Sequence, residues 1–169
     1  MERDRLTDQL ERHGEVFRAL LDSLTPEETL WKPAPDKWCA LEVICHLHDE
    51  EREDFRARLK HVLETPEGPM PKIDPAAWVA ERNYIRQDLS AMLEKFLRER
   101  ARSIAWLRGL TEAPWSNAHM HPKAGPVTCE LLLTNWVAHD LHHIRQLVNL
   151  RYAYLATHTT VPLDYAGTW

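Results

Sequence analysis

Glycine is scarce in this sequence, with only 5 glycines in 169 residues, whereas an ordinary protein uses about 7%. Hairpins and β-bulges depend on glycine, so the shortage argues against a fold built mainly from strands and tight turns. The glycine-rich phosphate-binding patterns GxGxxG and GxxxxGK[ST] do not occur, which argues against the common nucleotide-loop enzymes. Helices are therefore the expected architecture.

Paired cysteines, long apolar runs and basic clusters are also lacking. The three cysteines form no CxxC pair, so neither a disulfide framework nor a thiolate zinc site is expected. No run of about 18 apolar residues could span a membrane, and the charged N-terminal residues do not resemble a signal peptide. The net charge is −5 with both signs interspersed, which gives no electrostatic footprint for nucleic acid. We expect a cytoplasmic protein with no nucleic-acid or membrane partner.

The length predicts one domain over residues 1–169, because a domain averages about 150 residues. Apolar residues recur at helical spacing in four segments, about Glu2–Ser23, Ala40–Leu63, Tyr84–Leu110 and Thr128–Tyr152. The proline-rich residues 65–75 and residues 114–126 are expected to be loops. These segments predict an all-α protein, an antiparallel four-helix bundle with a long loop between helices 2 and 3.

Histidine is abundant, with 10 in the chain, and three of these residues lie in the fourth predicted helix. His139 and His143 are four residues apart, so their side chains share one helix face and can reach one metal ion. Both border the apolar stripe that should face the bundle interior, whereas His142 falls on the polar flank. Histidines at this spacing also occur by chance in a histidine-rich chain, so a pair of hydrogen-bonded core histidines is the alternative.

A third metal ligand is expected from another helix, because two imidazoles rarely make a stable site alone. His46 and His48 in the second predicted helix are the candidates. His46 lies at the border of the apolar arc, His48 lies within it, and Glu50 shares the side of His46. Spacing alone leaves this choice open.

Two segments of the chain carry a longer pattern. They are Trp31 to Leu47, with Pro33, Lys37-Trp38 and Glu42-Val-Ile-Cys-His46-Leu47, and His139-Asp140-Leu-His142-His143-Ile-Arg-Gln146. In this pattern the sequence resembles the DinB-like (DinB/YfiT) superfamily over most of its length. The resemblance implies a four-helix bundle that holds a divalent metal with three histidines. Carried onto this chain, the ligands would be His46, His139 and His143, and His48 falls outside the motif.

The sequence also leads to expectations for four other residues in or near this pattern. Cys39 stands where the family usually has a serine N-cap, so the second helix should start slightly less stably; a thiol pointing into the site is the alternative. Glu50 is expected in a solvated acidic run over residues 49–54, with a role as fourth ligand or base as the alternative. Asp140 is expected on the helix surface. Gln146 is placed to hydrogen-bond across the site.

The tryptophans are expected to be core and loop anchors. Trp31 and Trp38 should pin the loop before the second helix against the bundle, and Trp136 should line the pocket wall.

The predicted site favours metal-dependent catalysis. Three neutral nitrogens leave the ion its positive charge and an open position, the pattern of catalytic sites. Such an ion lowers the pKa of bound water or of a thiol. The resemblance implies either a thiol S-transferase that uses a low-molecular-weight thiol or a hydrolase. A non-catalytic metal-binding or stress-related bundle is the alternative.

The metal and the partners are less defined. Three imidazoles suit zinc, nickel, copper or iron, so the geometry does not identify the metal. The resemblance also implies a small-molecule substrate and a homodimer. A third hypothesis, a bundle without metal, predicts that chelators leave thermal stability unchanged.

Overall fold

Helices dominate the computed structural model, which describes residues 2–169. The helices are α1 (Glu2–Leu21), α2 (Pro26–Leu30), α3 (Ala40–Asp49), α4 (Arg56–Glu64), α5 (Pro75–Glu81), α6 (Leu89–Gly109) and α7 (Cys129–His158). A π-helical segment, Glu50–Phe55, joins α3 to α4, and two short strands, β1 (Ala118–His121) and β2 (Gly125–Thr128), precede α7. None of the described helices combines the length and the apolar character needed to cross a membrane.

Four long helical rods form a bundle, which confirms the predicted all-α class. The rods are α1, the continuous α3–α4, α6 and α7, and both α1 and α3–α4 pack against α6 and α7. Two apolar clusters stack along the bundle. The first includes Phe17, Ile44 and Phe96, and the second includes Leu10, Leu59, Leu133, Ile104 and Trp136. The polar residues described below lie on the rods between these clusters.

Two of the four neighbouring rod pairs run parallel, so the bundle is not antiparallel throughout. His13 contacts Asp140, and Arg151 donates to the carbonyl oxygen of Leu20, so contacts advance in the same direction along α1 and α7. The starts of α3 and α6 also share the first apolar cluster. The reason is the connection over residues 65–88, which returns along the length of the bundle before α6 begins.

The third long helix begins later than the periodicity predicts. The predicted start at Tyr84 is replaced by a separate 3₁₀ turn over Tyr84–Arg86, and α6 begins at Leu89. The Asp88 side chain accepts a hydrogen bond of 2.8 Å from the backbone N–H of Ala91 and so caps the helix. This N-cap decides the boundary, because it satisfies an otherwise unpaired donor in the first turn.

The loop predicted over residues 114–126 contains part of an antiparallel hairpin of β1 and β2. Gly125, at φ +75°, opens the second strand where a side chain would be strained. The hairpin leads into α7, which continues to His158 rather than ending at Tyr152 as predicted. The longer helix is reasonable because no residue that breaks helices occurs before Pro162.

Two short helices occupy the connections between rods. Thr25 caps α2 in a reciprocal capping box with Glu28. Asp74 caps α5, a helix that the periodicity did not reveal because it spans only Pro75–Glu81. These helices shorten the irregular stretches of both connections.

Candidate metal centre

The three histidines predicted as ligands come together between α3 and α7. The Nε2 atom of His139 lies 3.2 Å from Nε2 of His46 and 3.1 Å from Nε2 of His143. One possible ligand atom from each residue lies within 4.8 Å of the others. In a tetrahedral site with metal–nitrogen bonds of about 2.05 Å, ligand nitrogens are about 3.3 Å apart. The donor set therefore fits one small divalent ion, and metal binding by these residues stays a prediction.

All three imidazoles are set up to be neutral. Burial, with smaller contributions from neighbouring imidazoles, lowers the pKa of His46 to about 3, of His139 to about 2 and of His143 to about 4. At neutral pH each imidazole therefore has one unprotonated ring nitrogen, which is the form that binds a metal. His48 is outside the group, as the family pattern predicts, and its Nδ1 lies 3.2 Å from Oδ1 of Asp49.

Gln146 fixes the orientation of one candidate ligand. Its Oε1 lies 2.8 Å from Nδ1 of His143. An amide oxygen can only accept, so Nδ1 carries the proton and the Nε2 lone pair faces the cluster. The predicted contact exists, but it runs along α7 to a ligand rather than across the site.

Trp38 packs directly on the cluster. Its ring centroid lies 4.9 Å from that of His46, and it is nearly parallel to the ring of His143 at 6.5 Å. The residue was predicted to anchor the loop before α3, and the structure also makes it a wall of the candidate site. It shields the imidazoles from water on one side, in keeping with their burial.

The acidic run after His46 is buried, which corrects the expectation of a solvated run. Glu50 and Glu51 are only 4% and 1% exposed, and Asp54 is buried as well. The carboxylates lie in the π-helical segment Glu50–Phe55, and their burial is possible because they have basic partners, such as Arg100 for Glu51. π-Helical turns are frequent at functional sites.

Glu50 lies behind His46 on the side away from the cluster. Its Oε1 is 4.0 Å from Nδ1 of His46, a buried nitrogen with no hydrogen-bond partner among the described residues. Burial, together with a smaller contribution from the neighbouring Asp54, raises the pKa of Glu50 to about 8. Arg58 pairs with Asp54 at 2.8 Å, and a cation held by the histidines would add positive charge near Glu50, so the residues present are compatible with a metal.

The Glu50→Gln variant is expected to bind Zn²⁺ or Co²⁺ about 10-fold more weakly, since carboxylates behind metal-binding histidines contribute about 10- to 100-fold in affinity. Competition with a chromophoric chelator measures this dissociation constant. Glu53→Gln is the matched control, because Glu53 lies in the same π-helical segment but pairs with Arg82 at the surface. Equal affinities for the two variants would show that Glu50 does not support His46.

Asp140 is fully buried, which corrects the prediction that it lies on the helix surface. The guanidinium of Arg100 on α6 donates to both carboxylate oxygens of Asp140, at 2.6 and 2.8 Å, and also binds Glu51. His13 on α1 completes the group at 3.2 Å from Asp140. The helix pattern of α7 alone could not show this. The sequence of α6 does contain an indication of this buried ion pair, because Arg100 follows Phe96 by four residues and so lies on the same inward face.

Trp136 is a core residue rather than a wall of the site. Its indole N–H donates to Oε2 of Glu51 at 3.0 Å, and its ring stacks on Phe55 with centroids 5.6 Å apart. Phe55 contributes the contact predicted for Trp136, since its ring lies 5.1 Å from that of His139. The site is therefore bordered by Trp38 on one side and Phe55 on another.

The three cysteines do not reach the cluster as nucleophiles. Cys39, Cys45 and Cys129 are all buried, and burial raises the pKa of each thiol, that of Cys45 to about 12. At the start of α3, the backbone N–H of Cys39 donates to Oε2 of Glu42 at 2.9 Å. Cys39 therefore helps to cap the helix through its backbone, and its thiol is not part of the histidine group.

Comparisons with known proteins agree with this architecture. A family model described as the DinB superfamily matches residues 9–147, a range that includes all three histidines. YfiT from Bacillus subtilis, described as a probable metal-dependent hydrolase with an unusual four-helix bundle topology, superposes with a TM-score of 0.77. The two are 23% identical over 88% of this chain and 85% of YfiT, a likeness that shows the fold. A search of curated proteins gives no significant match.

Proposed function

This chain belongs to the DinB superfamily, and from that premise we propose that it is a divalent-metal-dependent hydrolase. The observation that carries the proposal is the convergence of three neutral imidazole nitrogens. Within residues 2–169, no further histidine, cysteine or carboxylate atom joins this group. A site with three protein ligands leaves a position for a reactant, as catalytic sites do. YfiT, which has the same fold, is described as a probable metal-dependent hydrolase.

The residues of this chain would prepare the site in three ways. His46, His139 and His143 would hold a divalent ion, for which zinc, nickel or iron would be suitable. When bound, the ion supplies Lewis acidity that lowers the pKa of a small nucleophile. Gln146 keeps the proton of His143 away from the cluster, and Trp38 and Phe55 exclude water from its sides.

A thiol S-transferase is the second candidate, with a low-molecular-weight thiol as the nucleophile instead of water. A cavity of about 670 Å³ borders Trp38 and Gln146, and this volume lies within the usual range for small-molecule sites. It is large enough for a small thiol together with an electrophile. The buried cysteines cannot take this role, so the thiol would come from solution.

The test is activity after removal and controlled return of the metal. Metal-free protein is loaded anaerobically with zinc, nickel or iron(II), then assayed with p-nitrophenyl esters, and with cysteine or glutathione plus monochlorobimane. We expect turnover only with metal, and a loss of at least about 100-fold in His46→Ala, because metal catalysis contributes several kcal/mol. His48→Ala is the control, since His48 lies on the same helix outside the cluster.

The results separate the candidates. Ester hydrolysis that depends on metal supports the hydrolase, and metal-dependent thiol transfer without hydrolysis supports the transferase instead. Equal rates for wild type and His46→Ala would reject both. Tight metal binding with no turnover of either kind would favour the non-catalytic metal-binding bundle.

A further inference from the structure

A cavity of about 670 Å³ lies between the loop before α3 and the second half of α7. Two of its lining residues also contact the candidate ligands. Trp38 packs on His46 and His143, and Gln146 accepts a hydrogen bond from His143. Trp38 and Gln146 therefore form a wall between the cavity and the histidine cluster, and none of the three histidines itself lines the cavity.

Aromatic rings form much of the cavity surface. Trp38 lines the end next to the histidines, and Tyr152 and Trp169 line another side. The rings of Tyr152 and Trp169 are stacked, with centroids 4.2 Å apart and planes inclined by 6°. Flat apolar groups bind well against such faces, because stacked and edge-on aromatic contacts add to the gain from burial.

The ionisable side chains that line this cavity are basic, apart from the phenol of Tyr152. Lys37, His142 and Arg145 line it, and no aspartate or glutamate side chain does, although the whole chain carries a net charge of −5. Arg145 is held by a hydrogen bond of 3.3 Å from its Nη2 to Nδ1 of His142. Among the described residues, no carboxylate lies at ion-pair distance from Arg145, whereas Lys37 pairs with the exposed Asp36.

We propose that this cavity binds a small organic anion with a flat apolar part. The flat part would lie against Trp38, Tyr152 and Trp169, and the anionic group would bind Arg145 and Lys37. The planar guanidinium of Arg145 suits a carboxylate or another oxyanion. Anion binding in this cavity does not depend on the proposed metal-dependent activity.

Two fluorescent probes that differ mainly in charge test the proposal. 1-Anilinonaphthalene-8-sulfonate is an aromatic anion, and N-phenyl-1-naphthylamine is nearly the same ring system without the sulfonate. In the double variant Lys37→Gln/Arg145→Gln, we expect the dissociation constant of the anion to rise about 5- to 10-fold, since two partly exposed charged contacts are removed. The dissociation constant of the neutral probe should change by less than about twofold, because the aromatic walls remain.

Control variants locate the effect. Arg98→Gln/Lys123→Gln removes the same charges from exposed positions that do not line the cavity, and it should leave both probes unaffected. Ala153→Trp fills the cavity from α7 and should block both probes. Melting temperatures of all variants show whether the fold is intact, because these probes also bind loosened proteins.

Either of two results would overturn the proposal. One is an equal response of both probes to Lys37→Gln/Arg145→Gln, which would mean that the cavity does not recognise charge. The other is continued binding in Ala153→Trp, which would place the probes elsewhere. All titrations are repeated with His139→Ala, which lacks one candidate metal ligand. If binding of the anionic probe to His139→Ala still depends on Lys37 and Arg145, the anion site is present whether or not the metal-dependent activity is found.

Discussion

The His139→Ala variant is expected to purify with almost no bound metal, whereas the wild-type protein retains about one ion per chain. His139 is the central residue of the cluster, because its Nε2 lies within 3.2 Å of the Nε2 atoms of both other histidines. Loss of an outer supporting group costs about 10- to 100-fold in metal affinity, so loss of a ligand should cost more than about 100-fold. Elemental analysis of protein dialysed against a trace of zinc measures the metal content.

Thermal unfolding gives a second measure of the same prediction. A metal that binds only the folded chain stabilises it by about 2.7 kcal/mol when its free concentration is 100 times the dissociation constant. For a chain of this size, that corresponds to a rise of about 5–10 °C in the melting temperature. Zinc should therefore raise the melting temperature of the wild type and leave that of His139→Ala unchanged.

His142→Ala is the matched control for both measurements. His142 lies three residues after His139 on α7, is exposed, and is not part of the histidine group. Its replacement should leave the metal content and the zinc-induced shift as in the wild type. Unchanged metal content in His139→Ala would reject the three-histidine site, and no response of the wild type to zinc or chelator would favour the bundle without metal.

Local periodicity was sufficient to predict the four rods and two of the three clustered histidines. The four-residue interval between His139 and His143 fixes a common face whatever the partner helix is. The same reasoning could not choose between His46 and His48, because both lie at or inside the apolar arc of one helix. Only the resemblance to a family distinguished them, and the structure places His46 in the cluster.

The acidic residues show where single-helix reasoning fails. The helical wheel assumes about 3.6 residues per turn, but residues Glu50–Phe55 are π-helical, and Glu50 and Glu51 are both buried. Nothing in local composition marks this change of period. Likewise, Asp140 is polar and was assigned to the surface, whereas its burial depends on Arg100 on another helix, 40 residues away in sequence. Such pairings are tertiary, so a pattern read along one helix does not contain them.

The second large effect is expected from Arg100→Met, which should destabilise the fold by about 3–5 kcal/mol. Arg100 is buried between Glu51 and Asp140, whose side chains are both 1% exposed. Burial opposes the charge of the guanidinium, but the carboxylates of Asp140 and Glu51 raise the pKa of Arg100 above its ordinary value. Removing one partner from a buried ionic group leaves uncompensated charges, and this costs about 3–5 kcal/mol.

Two comparisons make the Arg100→Met prediction specific. Arg108→Met also removes an α6 arginine with two carboxylate partners, Asp8 and Glu11, at 3.0 and 2.8 Å. Those partners are exposed, so the melting temperature should hardly change, whereas Arg100→Met should lower it by about 10 °C. Replacing Arg100, Glu51 and Asp140 together by apolar residues should recover part of the loss, because no charge is then left buried. If Arg100→Met unfolds at the same temperature as Arg108→Met, the buried network does not stabilise the bundle.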